Sequence, residues 1–361
     1  MIRKVLFFIL AFVLAALLGL GLAMWKQHSA LQQPLVLNEA LLLDVQPGDT
    51  PGGVFRRLEA EGVLKDAFWL RLYWRLKLSH ETLFSGEYRL LPGMRVEEMI
   101  GLWRRREVVQ YSLTLVEGWN FRQLRRAMQA QPKLTQTLQG LDDAQLMERL
   151  GHPGLHPEGR FFPDTYLYTR GYSDLELLKK AFARLETVLS EEWEARADNL
   201  PYRDAYQALI MASIIEKETG VPSERGEIAG VFVRRLARNM LLQTDPTVIY
   251  GLGEDYAGRI TRAHLLQATP YNTYIKPGLP PTPIALVGRK AIHAALHPAE
   301  GESLYFVARG DGSHEFSDTL EEHNRAVRQY QLNRRDDYRS SPAPVPQTAP
   351  APTPAPSETP E

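Results

Sequence analysis

Ala208-Leu209-Ile210-Met211-Ala212-Ser213-Ile214-Ile215-Glu216-Lys217-Glu218-Thr219-Gly220 is the stretch on which the reading of this chain turns. Its apolar residues cover every face of a helix, not one stripe, which predicts a helix buried inside a domain. Gly220 is placed to terminate it, and Pro222 bars continuation. Two carboxylates therefore stand in the last turn, at the end of the helix dipole that disfavours negative charge. Dipole and desolvation both raise a carboxyl pKa, which is what a general acid working near neutral pH requires. Two residues of separation is about 200° around the axis, so the pair points to nearly opposite sides. Glu218 continues the face of Met211, Ile214 and Ile215, whereas Glu216 continues Leu209, Ala212 and Ser213. One can line a cleft while the other pairs with an Arg of the next helix. Periodicity does not choose between them, and two ordinary helix-end charges are the plain alternative.

Further along, Leu242-Gln243-Thr244-Asp245-Pro246-Thr247-Val248-Ile249-Tyr250 holds a helix start, with Asp245 before Pro246 as its natural N-cap. Tyr271-Asn272-Thr273-Tyr274 and Pro277-Gly278-Leu279-Pro280-Pro281 put aromatics, hydroxyls and an amide on stiff loops. Such groups suit sugars, whose faces stack on rings, and equally suit a packed loop with buried Tyr. His293 and His297 have the spacing of a zinc helix, but Ala294 occupies the place of a zincin's general base and Pro298 ends the helix, so no metal is expected. No phosphate-binding glycine loop or Gly-x-Ser-x-Gly elbow occurs, and the reading calls for no cofactor.

Around these stretches lies a domain predicted over 110–335. It opens with a strand at Tyr111–Val116 and a helix capped by Asn120, and helices follow near 174–196, 204–218 and 224–238. Gly310-Asp311-Gly312-Ser313 marks a hairpin, and Thr319 with Glu322 forms a capping box. Helices in runs with few strands between them give an α+β class. Upstream, 41–109 reads as a smaller β/α subdomain: a strand at Leu41–Val45, the turn Pro47-Gly48-Asp49, and a helix capped by Thr50 with Pro51 next. A second helix near Phe68–Leu78, a strand near Gly86–Leu91 and an amphipathic helix bearing Val96, Met99, Ile100 and Trp103 complete it.

The N-terminus carries Val5–Met24 without a polar side chain, about 30 Å of helix and one hydrocarbon thickness. Arg3 and Lys4 before it favour a cytoplasmic N-terminus, and Trp25 suits an interfacial anchor. The run is longer than a cleaved signal's apolar region, which favours an uncleaved single span at 1–26, followed by a tether at 27–40. From about Ser340 the composition collapses to Pro, Ala, Ser and Thr, so 336–361 is predicted to be a disordered tail. A formal net charge of −1 with interspersed signs offers no global reason to bind nucleic acid. The chain has no Cys, which excludes disulfides and thiolate chemistry.

Val45-Gln46-Pro47-Gly48-Asp49-Thr50 followed by a helix resembles the opening of LysM modules, small β/α domains that hold N-acetylglucosamine polymers. The longer motifs resemble the YceG-like (MltG) family of endolytic murein transglycosylases. These are Glu158-Gly159 with Phe162-Pro163-Asp164-Thr165-Tyr166, then Ala212–Glu218, Leu242–Tyr250, Tyr271–Tyr274 and Gly278–Pro281, in the family's order. The departure is Thr282-Pro283-Ile284-Ala285-Leu286-Val287-Gly288, where the family usually reads close to Gly-Pro-Ile-Ala-Asn-Pro-Gly. The resemblance implies that Glu218, the second Glu of Glu-Lys-Glu, is the catalytic residue. It implies cleavage of the MurNAc–GlcNAc β-1,4 bond within strands, leaving 1,6-anhydroMurNAc ends and ending strand elongation. Gln243, Asp245, Tyr271, Asn272, Tyr274 and Glu216 are the expected substrate-side residues. Implied surroundings are the bacterial inner membrane, with the catalytic domain in the periplasm. Implied partners are peptidoglycan strands, penicillin-binding proteins or glycan polymerases, and the elongation or division machinery. A wall-binding scaffold without activity and a hydrolytic muramidase are the rival readings.

Overall fold

The N-terminal helix α1 runs from Ile2 to Gln32, longer than the apolar stretch that starts it. It is long and apolar enough to cross a membrane. The computed structural model describes residues 2–218 and 221–332. Gly220, the expected terminator of the buried helix, and the Pro-rich tail at 336–361 lie outside the described residues.

The chain forms two compact units that share it unevenly: Met1–Leu113, Met128–Gln139 and Thr165–Leu177 make the first, and Thr114–Ala127, Gly140–Asp164 and the chain from Leu178 make the second. In the first unit, β1 (Leu41–Val45), α2 (Pro51–Ala60), α3 (Ala67–Lys77) and β2 (Gly86–Leu90) follow one another, and β1 pairs antiparallel with β2 from Leu41↔Leu90 to Val45↔Gly86. The local signals act as read: Thr50 accepts Gly53 N–H at the start of α2, and Gly62 past its end takes a left-handed φ of 74°. α4 (Val96–Arg105) closes the core, where Phe55, Trp74 and Trp103 pack edge to face or tilted. β3 (Gln110–Thr114) and β4 (Thr165–Thr169) form a second two-stranded sheet.

The segment 27–40, read as a tether, carries part of a helix and buried side chains. α1 continues through it as far as Gln32 and packs on α3 and α4, with Ala30 and Leu35 buried in the core of the first unit. Leu35 N–H donates to Met94 O and Val36 N–H to Val63 O, at 2.7 and 2.8 Å. Small and apolar residues in this short segment give it a buried face.

Glu87 in β2 is a buried carboxylate held by Lys133 and Arg170, each at 2.7 Å, and by the Tyr111 hydroxyl. Burial pushes its pKa up, but these three donors outweigh burial and hold it at about 2.

The second unit contains most of α5 (Phe121–Gln129), α6 (Asp143–Leu150), most of α7 (Asp174–Glu194), α8 (Ala205–Glu218), α9 (Arg225–Ala237) and α10 (Asp245–Leu252). There follow α11 (Arg262–Leu266), α12 (Arg289–Leu296), the antiparallel hairpin β5 (Tyr305–Ala308) with β6 (His314–Ser317), and α13 (Leu320–Val327). α8 is the axis of this unit. Every residue from Ala208 to Ile215 is buried, and α8 packs on α9, α10 and α12. Asp204 caps it by accepting Gln207 N–H at 2.9 Å. The all-round apolar pattern of this helix is thus matched by neighbours on several sides. The chain is mixed α+β.

Candidate active site

The two carboxylates at the end of α8 go to different partners. Glu216 faces the segment 284–288: its Oε2 accepts Gly288 N–H at 3.1 Å, and Oε1 lies 3.8 Å from Arg225 Nη2. One helical turn earlier, Ser213 Oγ accepts Ile284 N–H at 3.0 Å, so one face of α8 grips this segment twice. A Cβ on Gly288 would meet the Glu117 carboxylate at 1.9 Å, so the exposed Glu117 side chain would have to move aside. Burial and the nearby Glu117 raise the Glu216 pKa, while the Gly288 N–H and Arg225 oppose the rise. Its geometry is that of a structural clamp.

Glu218 points elsewhere. Its Oε1 accepts the hydroxyl of Thr244, and it lines a cavity of about 850 Å³ together with Lys217, Arg235, Gln243, Asp245 and Tyr274. Its pKa is pushed up to about 7: burial is the main cause, the Thr244 hydroxyl opposes it, and the negative charge of Asp245 adds to it. A carboxyl with that pKa is shared between acid and base forms at neutral pH, as proton transfer in both directions needs.

Thr244, not Asp245, is the N-cap of α10, and Asp245 is its first residue. The Thr244 side chain makes no capping bond, because its hydroxyl is turned to Glu218. Asp245 Oδ1 instead accepts the Tyr274 hydroxyl at 2.5 Å. Gln243 adopts a left-handed φ of 53°, rare outside glycine, directly before Thr244. Its N–H donates to Thr273 O at 3.2 Å, and Thr244 N–H donates to Thr273 Oγ1 at 3.1 Å, so the 271–274 loop holds this turn in place.

Gln243, Asp245 and Tyr274 are therefore gathered around Glu218. Tyr271 is not; it lines a neighbouring cavity of about 840 Å³. Asn272 is fully buried and donates to the carbonyls of His264, Leu265 and Gln267, while its Oδ1 accepts Tyr274 N–H. It shapes the loop that carries Tyr274.

The neighbouring cavity holds a further buried carboxylate, from the Glu158-Gly159 pair. Glu158 is 3% exposed; both its oxygens accept Phe121 N–H, at 3.0 and 3.1 Å, at the start of α5, and Oε2 accepts the Tyr250 hydroxyl at 2.9 Å. Burial pushes its pKa up to about 7 against these donors. Gly159 next to it has a φ of 72°, and a Cβ there would meet Pro283 at 2.3 Å. The Glu-Gly pair was visible in the sequence, but nothing local indicates that Phe121 and Tyr250 converge on it. Lys217, Ile249 and Tyr256 line both cavities.

A cation could be held at Glu192, His293 and His297, whose ligand atoms lie within 4.8 Å of one another. Glu192 comes from α7, invisible to a reading of the His spacing alone. Arg289 already pairs with it at 2.8 Å, and His293 Nδ1 contacts its other oxygen at 2.8 Å.

A family model described as the YceG-like family matches residues 43–329. An endolytic murein transglycosylase from Bacillus subtilis (strain 168) is 31% identical over 310 residues, covering 80% of this chain and 84% of that protein. One from Streptococcus pneumoniae serotype 2 (strain D39 / NCTC 7466) is 26% identical over 308 residues; the match covers 76% of this chain and 55% of the relative, about half its length. The crystal structure of a yceG-like protein from Listeria monocytogenes is similar over 80% of this chain and 99% of that one, with 30% identity and a TM-score of 0.49.

Proposed function

We infer the function from two findings together: the chain belongs to the YceG-like family, and one carboxyl poised between acid and base lines a cavity of about 850 Å³ in its second unit. It is an endolytic murein transglycosylase, a lyase that cuts glycan strands of peptidoglycan internally. Glu218 is the catalytic residue in this reading, and the observation that carries it is the union of burial, the Thr244 hydrogen bond and a pKa near 7 in a cavity wall.

The bond broken is the β-1,4 link from MurNAc to GlcNAc. Protonated Glu218 gives its proton to the glycosidic oxygen, and the C1–O bond breaks. The MurNAc C6 hydroxyl closes on C1, and its proton passes to the Glu218 carboxylate. A 1,6-anhydro end results and Glu218 returns to its acid form, without water. One carboxylate serves both steps because the nucleophile belongs to the substrate, so the spacing rule for paired carboxylates does not apply. Asp245 supplies negative charge beside the site, which favours the positive charge developing at C1. Two cavities with the common wall Lys217, Ile249 and Tyr256 suit a strand that continues on both sides of the cut.

α1 is read as a single inner-membrane span with its N-terminus in the cytoplasm and the rest in the periplasm. The strand–helix–helix–strand order of β1, α2, α3 and β2 supports a LysM-like role in holding glycan. Confinement beside the membrane raises the effective concentration of nascent strands. Glycan polymerases, penicillin-binding proteins and the elongation or division machinery are the partners in this reading, which ends strand growth by cutting.

Digestion of purified glycan strands followed by mass spectrometry of the ends tests it. Anhydro ends are expected; reducing ends would make the enzyme a hydrolase, and intact strands would make it a scaffold.

A further inference from the structure

Arg235 in α9 is 7% exposed and lines the Glu218 cavity. Its Nε donates to Leu304 O at 2.6 Å, before the hairpin. Its Nη1 reaches Leu241 O and Leu242 O, both at 3.0 Å, and Gln243 Oε1 at 3.4 Å. The guanidinium lies over the Tyr305 ring, 4.9 Å from its centroid. Among the described residues no carboxylate forms an ion pair with it, and its Nη2 donates to no acceptor. Nor is Nη2 one of the atoms sealed in the interior without a partner. The other enclosed guanidinium on this helix, Arg225, has Glu216 within 3.8 Å.

A buried guanidinium normally has a carboxylate beside it, because desolvation penalises an uncompensated charge. Burial does draw the Arg235 pKa below the usual arginine value. Carbonyl contacts account for Nε and Nη1 and give Arg235 a structural role, holding the 241–243 turn before Thr244. They leave one amino group and the net charge without an acceptor, on the wall of the cavity that contains Glu218.

We propose that Arg235 is the receptor for a carboxylate of the glycan substrate, taken through the two N–H groups of Nη2. The proposal rests on the reading that this cavity accepts a murein strand. Murein differs from polymers of GlcNAc alone in carrying carboxylates, on the lactyl group of MurNAc or on the peptide attached to it. A guanidinium binds such groups with directed, charge-assisted hydrogen bonds. Placement away from Glu218 is also required, since a cation at C1 would oppose the positive charge of the transition state; no ion pair joins Arg235 and Glu218. Arg235 thereby selects acid-bearing strands over neutral ones, while Glu218 performs the bond cleavage.

The test uses the full-length chain in detergent with Glu218→Gln, so that strands stay intact during titration. The ligands compared are peptide-bearing strands, peptide-free strands with lactyl carboxylates, both kinds methyl-esterified, and GlcNAc oligomers. Adding Arg235→Gln is expected to weaken binding of acid-bearing strands about tenfold and to leave esterified strands and GlcNAc oligomers unchanged. Loss confined to peptide-bearing strands assigns the stem carboxylate, and loss confined to peptide-free strands assigns the lactyl carboxylate, which the stem peptide otherwise converts to an amide; loss with both shows that either carboxylate is taken. Equal weakening of charged and neutral ligands overturns the proposal, because it marks a purely structural role. So does an unchanged affinity after esterification in the chain that retains Arg235, an arm that needs no Arg235 variant to fold. Cleavage by the unsubstituted chain reports separately on the activity itself.

Discussion

Removing the Thr244 hydroxyl should shift the pH at which strand cleavage declines, in a direction that the hydrogen bond dictates. Thr244 donates to Glu218 Oε1 and favours the ionised carboxylate, opposing the burial that raises its pKa to about 7. Thr244→Val keeps the β-branched shape in an extended backbone (φ −113°, ψ 125°), and it removes no helix cap because the hydroxyl makes none. A hydrogen bond to a charged acceptor contributes about 1.5–3 kcal/mol, and one pKa unit corresponds to about 1.4 kcal/mol. Allowing for partial compensation by cavity water, Glu218 should rise by about one unit. The acid form is the reactive one at the start of the cycle, so the alkaline limb of kcat/KM moves up by about the same amount. At pH 9 the protonated fraction goes from about 1% to about 10%, a relative gain of about tenfold against the unsubstituted chain's own pH profile. The assay is release of anhydro ends between pH 5 and 9, with thermal melting to confirm that both proteins are folded. An unmoved or lowered limb with the fold intact would refute the assignment of Glu218 as the proton donor.

Other consequences follow from the same contacts. Glu216→Gln weakens the grip on Gly288 and Arg225; it should lower stability by about 1–3 kcal/mol while leaving the position of the alkaline limb unchanged, as denaturant melts and the pH–rate profile will record. Loss of activity equal to that of a Glu218 variant would mean that the pair acts together. Glu218 itself has a folded pKa above its unfolded value near 4.5, so the folded state holds the extra proton between about 4.5 and 7 and stability falls as pH rises through that window. Glu218→Gln should therefore be more stable than the unsubstituted chain above pH 7, by up to about 3 kcal/mol, and the difference should vanish below about pH 4.5. Glu87 has the opposite sign: with its pKa held at about 2, its contribution is present above about pH 4.5 and is lost as pH falls toward 2. Glu87→Gln should destabilise the first unit by about 3 kcal/mol near neutral pH, and this penalty should shrink in acid, measured by urea unfolding at several pH values.

Much of this was legible in local patterns. The apolar coverage of Ala208–Ile215 announced a central helix, and the 200° separation of Glu216 and Glu218 anticipated two different destinations. Caps at Thr50, Asn120 and Thr319 are formed by the residue and its near neighbours, so sequence suffices to locate them. Reading failed where a distant partner decides. Asp245 looked like the N-cap beside Pro246, but the turn is set by Thr273, and the cap falls on Thr244 with its hydroxyl diverted to Glu218. Nothing near Glu158 foretells Phe121 N–H and the Tyr250 hydroxyl. The carbonyls that hold Arg235 come from Leu304 and the 241–243 turn, which the sequence of its own helix does not indicate. The burial of Ala30 and Leu35 likewise depends on residues far along the chain and is not written in the 27–40 segment itself.

The central claim is that Glu218 alone carries the proton in both directions. Quantifying 1,6-anhydroMurNAc ends released from purified strands by the unsubstituted chain and by Glu218→Gln, both shown to be folded, tests it most directly. The account predicts anhydro ends from the first and essentially none from the second, a loss of at least about a hundredfold on the scale of general acid–base catalysis. Full retention of anhydro-end formation by Glu218→Gln would contradict it.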